Sequence, residues 1–193
     1  LGDPALLLPL VCEPSSVKDY AFGIVPHFTE YDEVKRRYQD HPNVLVICLG
    51  NHESDADIDS TINNITRCER ILSSSLHGII VAHAYGISSA WCHFTDITSK
   101  GQKGTNWLKY EDYFASVDLL DVSSAKCMSD NAEFPPVSYY TLPEQNVIKS
   151  IQTDLLKFCP FNLYGSTPDH FYRVKAQQET DQNQFTFSEL VGM

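Results

Sequence analysis

The chain has 193 residues, 42% of them hydrophobic and 20% charged, with a formal net charge of -11 at pH 7. That length and balance fit one well-cored globular domain and leave little room for two. The acidic surplus argues against nucleic acid or an anionic membrane surface as partner, because both require a basic footprint. An anionic ligand must therefore be met by local features: helix N-termini, Arg67 and Arg70, or the group Lys100, Lys103 and Lys109. The six cysteines form no C-x-x-C pair, which predicts reduced, mostly buried thiols of a cytoplasmic protein and no metal site. No apolar run reaches the roughly 18 to 20 residues that span a bilayer, and the start has no basic leader pattern. The first residue is Leu1, which suggests part of a longer polypeptide.

In chain order, Gly2-Asp3-Pro4 is a turn signal followed by a short apolar stretch interrupted at Pro9. The segment from Tyr20 to Phe28 reads as a buried strand ending at Pro26-His27. His27 thus stands at a strand's carboxyl end, where open α/β sheets bind ligands; taken alone it also fits a solvent-facing loop residue. Glu30 to Gln39 places acids first and bases last, as an amphipathic helix aligned with its dipole does. Val44 to Leu49 is almost continuously apolar, the pattern of a central strand buried on both faces, and it ends at Gly50-Asn51. From Asp55 to Cys68, Ile58, Ile62 and Ile65 recur at helical intervals, and the acids at its start compensate the dipole.

The stretch from Ser73 to Gly86, Ser-Ser-Ser-Leu-His-Gly-Ile-Ile-Val-Ala-His-Ala-Tyr-Gly, predicts a strand end, a sharp turn and a helix that is apolar nearly all round. The serines can cap it and Gly86 can end it. Free N–H groups and the positive end of the dipole over Ser74, Ser75 and Gly78 suit a phosphate or carboxylate, with the imidazole of His77 beside them. The same residues also fit capping serines around a hydrogen-bonded core histidine. His83, six residues on, points to another face of the helix.

Ser88 to Phe94 reads as the next strand, and Thr95 to Asn106 as a polar loop able to cover a site. Trp107 to Leu120 reads as a helix with an aromatic side, 121–140 as irregular, and Pro143 to Phe158 as a last amphipathic helix. The regular alternation predicts right-handed crossovers and a mainly parallel sheet: a Rossmann-like three-layer α/β domain over 1–165, followed by a polar tail, partly disordered, over 166–193.

Three motifs, in order, resemble the polysaccharide pyruvyl transferases: Leu1-Gly-Asp-Pro-Ala-Leu-Leu-Leu8, Gly23-Ile-Val-Pro-His-Phe28, and Ile71-Leu-Ser-Ser-Ser-Leu-His-Gly-Ile-Ile-Val-Ala-His-Ala-Tyr-Gly-Ile87. Lys109-Tyr-Glu-Asp-Tyr-Phe-Ala-Ser116 is a weaker echo, and Pro160-Phe161 closes the match. The resemblance implies the second half of a GT-B-like enzyme that moves the enolpyruvyl carbons of phosphoenolpyruvate onto a sugar as a pyruvate ketal. It implies no cofactor, a glycan acceptor, and an N-terminal domain or partner chain that completes the cleft. His77 becomes the acid/base candidate. Ser74, Ser75, Gly78, His27, Asn51 and Lys109 become the substrate-contact candidates. The family commonly carries arginine where this chain has Ser75, so another group has to supply that charge, and it commonly carries proline at Ser88. Two further readings stay open: a GT-B glycosyltransferase or epimerase domain that uses a nucleotide sugar, and a non-catalytic domain of the same fold.

Overall fold

The computed structural model describes residues 2–49, 55–94, 107–126 and 134–158. Six strands and five α-helices follow one another as β1 (Tyr20–Val25), α1 (Tyr31–Tyr38), β2 (Val44–Val46), α2 (Asp55–Thr66), β3 (Cys68–Ser73), α3 (Leu76–Ala84), β4 (Ser89–His93), α4 (Leu108–Ser116), β5 (Ala125–Lys126), β6 (Tyr140–Thr141) and α5 (Gln145–Lys157). A 3₁₀ segment, Pro4–Leu10, precedes them, capped by the Asp3 carboxylate accepting from the Ala5 N–H at 2.8 Å.

The strand order is β2-β1-β3-β4-β5, all neighbours parallel, and β6 pairs antiparallel with β4. β6 meets β4 at Ser89 and Ala90, while β5 meets it further along at Cys92 and His93, so two very short strands share one edge. This is an α/β fold with a mostly parallel mixed sheet, consistent with a Rossmann-like domain.

Side chains alternate across the sheet as the pleat requires. Ile24 and Leu72 face α1, where they pack with Val34, Tyr38 and Phe94. Val25 and Ile71 face the other way, toward Ile65 of α2 and Val81 and Ala82 of α3. On that same side Ile79 and Ile80 meet Leu6, Trp91, Tyr113, Phe114 and Ile148, which brings the 3₁₀ segment, α4 and α5 onto α3. Helix α3 is buried from Gly78 to Ala84, as its all-round apolar sequence demands, and Gly86 ends it with φ +69.

The apolar run from Val44 is not a central strand. β2 is three residues long, lies at the edge and pairs with β1; Val44 is buried, but Leu45 and Val46 are half-buried. After β2 the chain crosses back past β1 to lay down β3, so sheet growth reverses between β1 and β3. The apolar content of a strand records how much side chain it buries, not its place in the order. The predicted irregular stretch 121–140 holds β5 within it and the first residue of β6 at its end; at two residues each, neither strand is long enough to show an alternation.

Candidate functional site

Reversal of the sheet opens a crevice between the carboxyl ends of β1 and β3, the place where open α/β sheets receive ligands. A cavity of about 430 Å³ lies there. Its walls are Leu8, Pro26, Phe28, Leu49, Leu76, Val81 and the Ile58, Ile62, Ile65 face of α2; its polar lining is His27, Thr61, Ser75, His77 and Lys109. An apolar body with a few convergent polar groups is the usual make-up of a ligand site.

The turn from β3 into α3 is built by Ser73. Its side chain is fully buried, and its hydroxyl lies 2.7 Å from the carbonyls of both Val25 and Ser75 while accepting from the Ser75 N–H at 3.0 Å. Gly78 makes the close approach possible: a Cβ there would lie 2.7 Å from Val25 Cγ1 and would also strike the Ser73 hydroxyl. Ser75 is the N-cap residue in extended conformation, but its side chain makes no capping hydrogen bond. Among the described residues its hydroxyl has no partner, and it lines the cavity.

Ser74 is committed to the protein. Its hydroxyl donates to the Glu30 carboxylate and accepts from the His27 N–H at 2.9 Å, and its carbonyl accepts from the Tyr110 hydroxyl at 2.8 Å. Ser74 and Gly78 therefore shape the site from behind, whereas Ser75, His77, His27 and Lys109 border the cavity. Asn51, Lys100, Lys103, Pro160-Phe161, the 95–106 loop and the 165/166 boundary lie outside the described residues. Arg67 is held by Asp19 at 2.6 Å, and Arg70 lies over the rings of Phe22 and Tyr140, so neither cation reaches the cavity.

His77 stands in the first turn of α3 with its side chain 67% exposed, its Nε2 4.0 Å from a carboxylate oxygen of Asp3. It is not a core histidine. His27 Nδ1 accepts from the Thr29 N–H at 3.5 Å and lies 2.9 Å from the Thr29 hydroxyl; since the N–H can only donate, Nε2 is the protonated nitrogen of the neutral ring. Partial burial, then the positive charge of Lys109, lowers its pKa against a smaller opposing effect of Glu30. His27 is thus a neutral hydrogen-bonding group at neutral pH.

His83, at the other end of α3, is the buried histidine. Nδ1 lies 3.0 Å from the Tyr113 hydroxyl, and Nε2 lies 3.1 Å from the Thr141 carbonyl and 2.9 Å from the Ser89 hydroxyl. Since the carbonyl can only accept, the proton is on Nε2. Burial drives its pKa down to about 4.

Three contributors escaped the sequence reading. Asp3 was visible only as a turn residue, though its motif folds back onto His77. Tyr110 looked like one more core aromatic of α4, yet its hydroxyl ties that helix to the β3 turn. Glu30 carried no signal beyond its place at a helix start.

No protein-family model and no solved structure matches the chain. An uncharacterized protein of Acanthamoeba polyphaga mimivirus is 30% identical over 145 residues, an alignment that takes in 71% of this chain and 50% of that protein. The chain thus spans about half the length of the curated relative it matches.

Proposed function

We propose that this chain is the second, GT-B-like domain of a polysaccharide pyruvyl transferase. The observation that supports the reading best is the meeting of His77, Ser75, His27 and Lys109 around one cavity at the carboxyl ends of β1 and β3. Two of the motifs that carry the family resemblance converge there, and the third brings Asp3 to His77.

The proposed reaction joins phosphoenolpyruvate to two hydroxyls of one sugar. One hydroxyl oxygen bonds to C2 of the donor and loses its proton while a proton is delivered to C3, so that the C2–C3 double bond becomes single and C3 becomes a methyl group. The second hydroxyl oxygen then bonds to C2 as the C2–O bond to phosphate breaks, and its proton leaves with the phosphate. His77 is the group at hand for both proton movements, an imidazole at the cavity with its side chain exposed enough to reach substrate. The N–H groups opening α3 and the Lys109 ammonium are the positive ends available to the donor's phosphate and carboxylate. The reaction uses no cofactor; phosphoenolpyruvate is the donor substrate.

The acceptor is a glycan sugar, and its wall of the cleft belongs to a first domain supplied by a longer polypeptide or a partner chain. The half-length match to the viral relative is in keeping with that division. Orienting two reactants between two domains accounts for several kcal/mol of barrier reduction, up to about 7 to 11 in well-oriented model systems. The 193 residues alone should bind donor and transfer no pyruvate.

Thermal shift of the chain with phosphoenolpyruvate, phosphate and a set of nucleotide sugars tests the reading. Stabilisation by phosphoenolpyruvate is expected. Stabilisation by nucleotide sugars alone would assign the domain to glycosyl transfer or epimerisation instead, and no response to any of them would favour a non-catalytic domain.

A further inference from the structure

The cavity is lined unevenly. Most of its polar side chains, His27, Ser75, His77 and Lys109, come from the residues just past β1 and from the starts of α3 and α4. The opposite side is formed by Ile58, Ile62 and Ile65 of α2, with Leu8 from the 3₁₀ segment and Leu49 from beyond β2.

Spacing on α2 explains that second side. Ile58, Ile62 and Ile65 stand four and three residues apart, which puts them on one face of the helix. Ile65 is fully buried with Val81 and Ala82 of α3, and Ile62 is buried too, but Ile58, nearer the helix start, is only half-buried. Leu8 and Leu49 are likewise half-buried and border the same space. One half-exposed apolar side chain is ordinary on a protein surface; three that converge on one cavity form an apolar concavity.

Water is a poor occupant of that side. Thr61 is the polar side chain that α2 contributes to the lining, and it already has a partner, whereas a bound water needs about two to four polar groups. A charged or hydroxylated group placed against the isoleucines would give up its hydrogen bonds to water without replacement. A small, wholly polar acid therefore fills only the other side, where the start of α3 and the Lys109 ammonium complement negative charge.

We infer that the cavity binds an amphipathic acid, with its anionic head at the start of α3 and a hydrocarbon body lying along Ile58 and Leu49 on the α2 side. Phosphoenolpyruvate supplies such a head with no body, so the inference goes beyond the proposed donor and does not depend on it.

The test is calorimetric titration of the 193-residue chain with inorganic phosphate, with phosphoenolpyruvate, and with methyl, propyl and pentyl phosphate. Each methylene that leaves water for the α2 side is expected to tighten binding about fourfold, so affinity climbs from methyl to pentyl phosphate. Two variants are compared with the parent by the ratio of their pentyl to methyl phosphate affinities, a readout that a general loss of folded protein does not move. Ile58→Gln is expected to lower that ratio at least about threefold. Val137→Gln, which alters an exposed apolar residue of the 3₁₀ turn Val137–Tyr139, is expected to keep it. Affinity that does not rise with chain length in the parent, an unchanged ratio in Ile58→Gln, or an equal fall in Val137→Gln would each overturn the inference; the parent series needs no variant and decides the matter should Ile58→Gln fail to fold. A rising series without binding of phosphoenolpyruvate leaves the amphipathic site standing and removes the pyruvyl donor. A flat series with phosphoenolpyruvate bound does the reverse, and no binding of any of the five compounds removes both.

Discussion

The two ends of α3 carry the same residue type in opposite circumstances. At its start His77 is mostly exposed beside a cavity, with an aspartate 4.0 Å away. Two turns later His83 is fully buried, with both ring nitrogens engaged. A histidine whose hydrogen bonds are satisfied in a dry core is a structural part; one at a strand-end crevice with a free edge can exchange protons with a ligand. Replacement by alanine should separate the two most widely. On the proposed reading, His77→Ala in a longer polypeptide that carries the transferase activity is expected to cut turnover by about 10² to 10⁴, with a melting temperature close to the parent's. His83→Ala leaves the Tyr113 hydroxyl, the Ser89 hydroxyl and the Thr141 carbonyl without their partner, and should cost about 2 to 5 kcal/mol of stability in urea unfolding. Similar losses of stability in the two variants would erase the distinction and return His77 to the core.

Acid should find His83 before the carboxylates. Unfolded, the ring takes up a proton near its ordinary value of 6.5; folded, burial withholds it until about pH 4. Stability is therefore complete above about 6.5 and declines as pH falls from there to about 4, by roughly 3 kcal/mol for this group. His27 and His93, whose pKa values are also lowered chiefly by burial, act in the same direction. Unfolding free energy measured between pH 7 and 4 should show this fall, and His83→Gln should flatten the largest part of it. An unchanged slope in that variant would mean that other groups control acid sensitivity.

What the sequence shows about these two ends differs in kind. The helix itself is legible: the absence of any polar face predicts burial, and Gly86 marks its end. The histidines are not, because periodicity says that His77 and His83 face different ways but not which way is inward. That depends on the reversal of the sheet between β1 and β3, a property of the order in which strands are laid down. The order is invisible in the strands' composition, and so Val44–Val46, apolar enough for the centre, lies at the edge. The same reversal explains why His27, Ser75, His77 and Lys109 border one cavity although 82 residues separate the first from the last. Ser73 was visible only as one of three possible caps. Its actual task, joining the β1 carbonyl to the α3 turn, needs a contact 48 residues away in sequence.

That junction offers a smaller perturbation. Gly78→Ala adds one methyl group against Val25 and the Ser73 hydroxyl, where the neighbours are backbone-anchored and cannot swing aside. The helix must lift from the sheet, at a cost of about 1 to 3 kcal/mol. Because the lift occurs in the turn that carries His77, anion affinity should fall with stability. A stable variant with unchanged binding would show that the α3 turn tolerates displacement and is not the rigid base of the site.

The smallest effect expected is at Ser75, and its smallness is informative. An N-cap serine that bonds the helix N–H groups typically loses about 1 kcal/mol when replaced by alanine. Ser75 occupies the N-cap with extended backbone angles but makes no such bond, and its own N–H is satisfied by Ser73. Ser75→Ala should therefore change the unfolding free energy by no more than a few tenths of a kcal/mol. Ser73→Ala, which removes a buried hydroxyl lying 2.7 Å from the Val25 and Ser75 carbonyls and accepting from the Ser75 N–H, should cost about 1 to 3 kcal/mol. If Ser75 is instead kept for a ligand at the cavity mouth, the stability of the alanine variant will stay near the parent's while its affinity for phosphate drops. Loss of stability without loss of affinity would make Ser75 an ordinary cap and leave the cavity one polar group poorer.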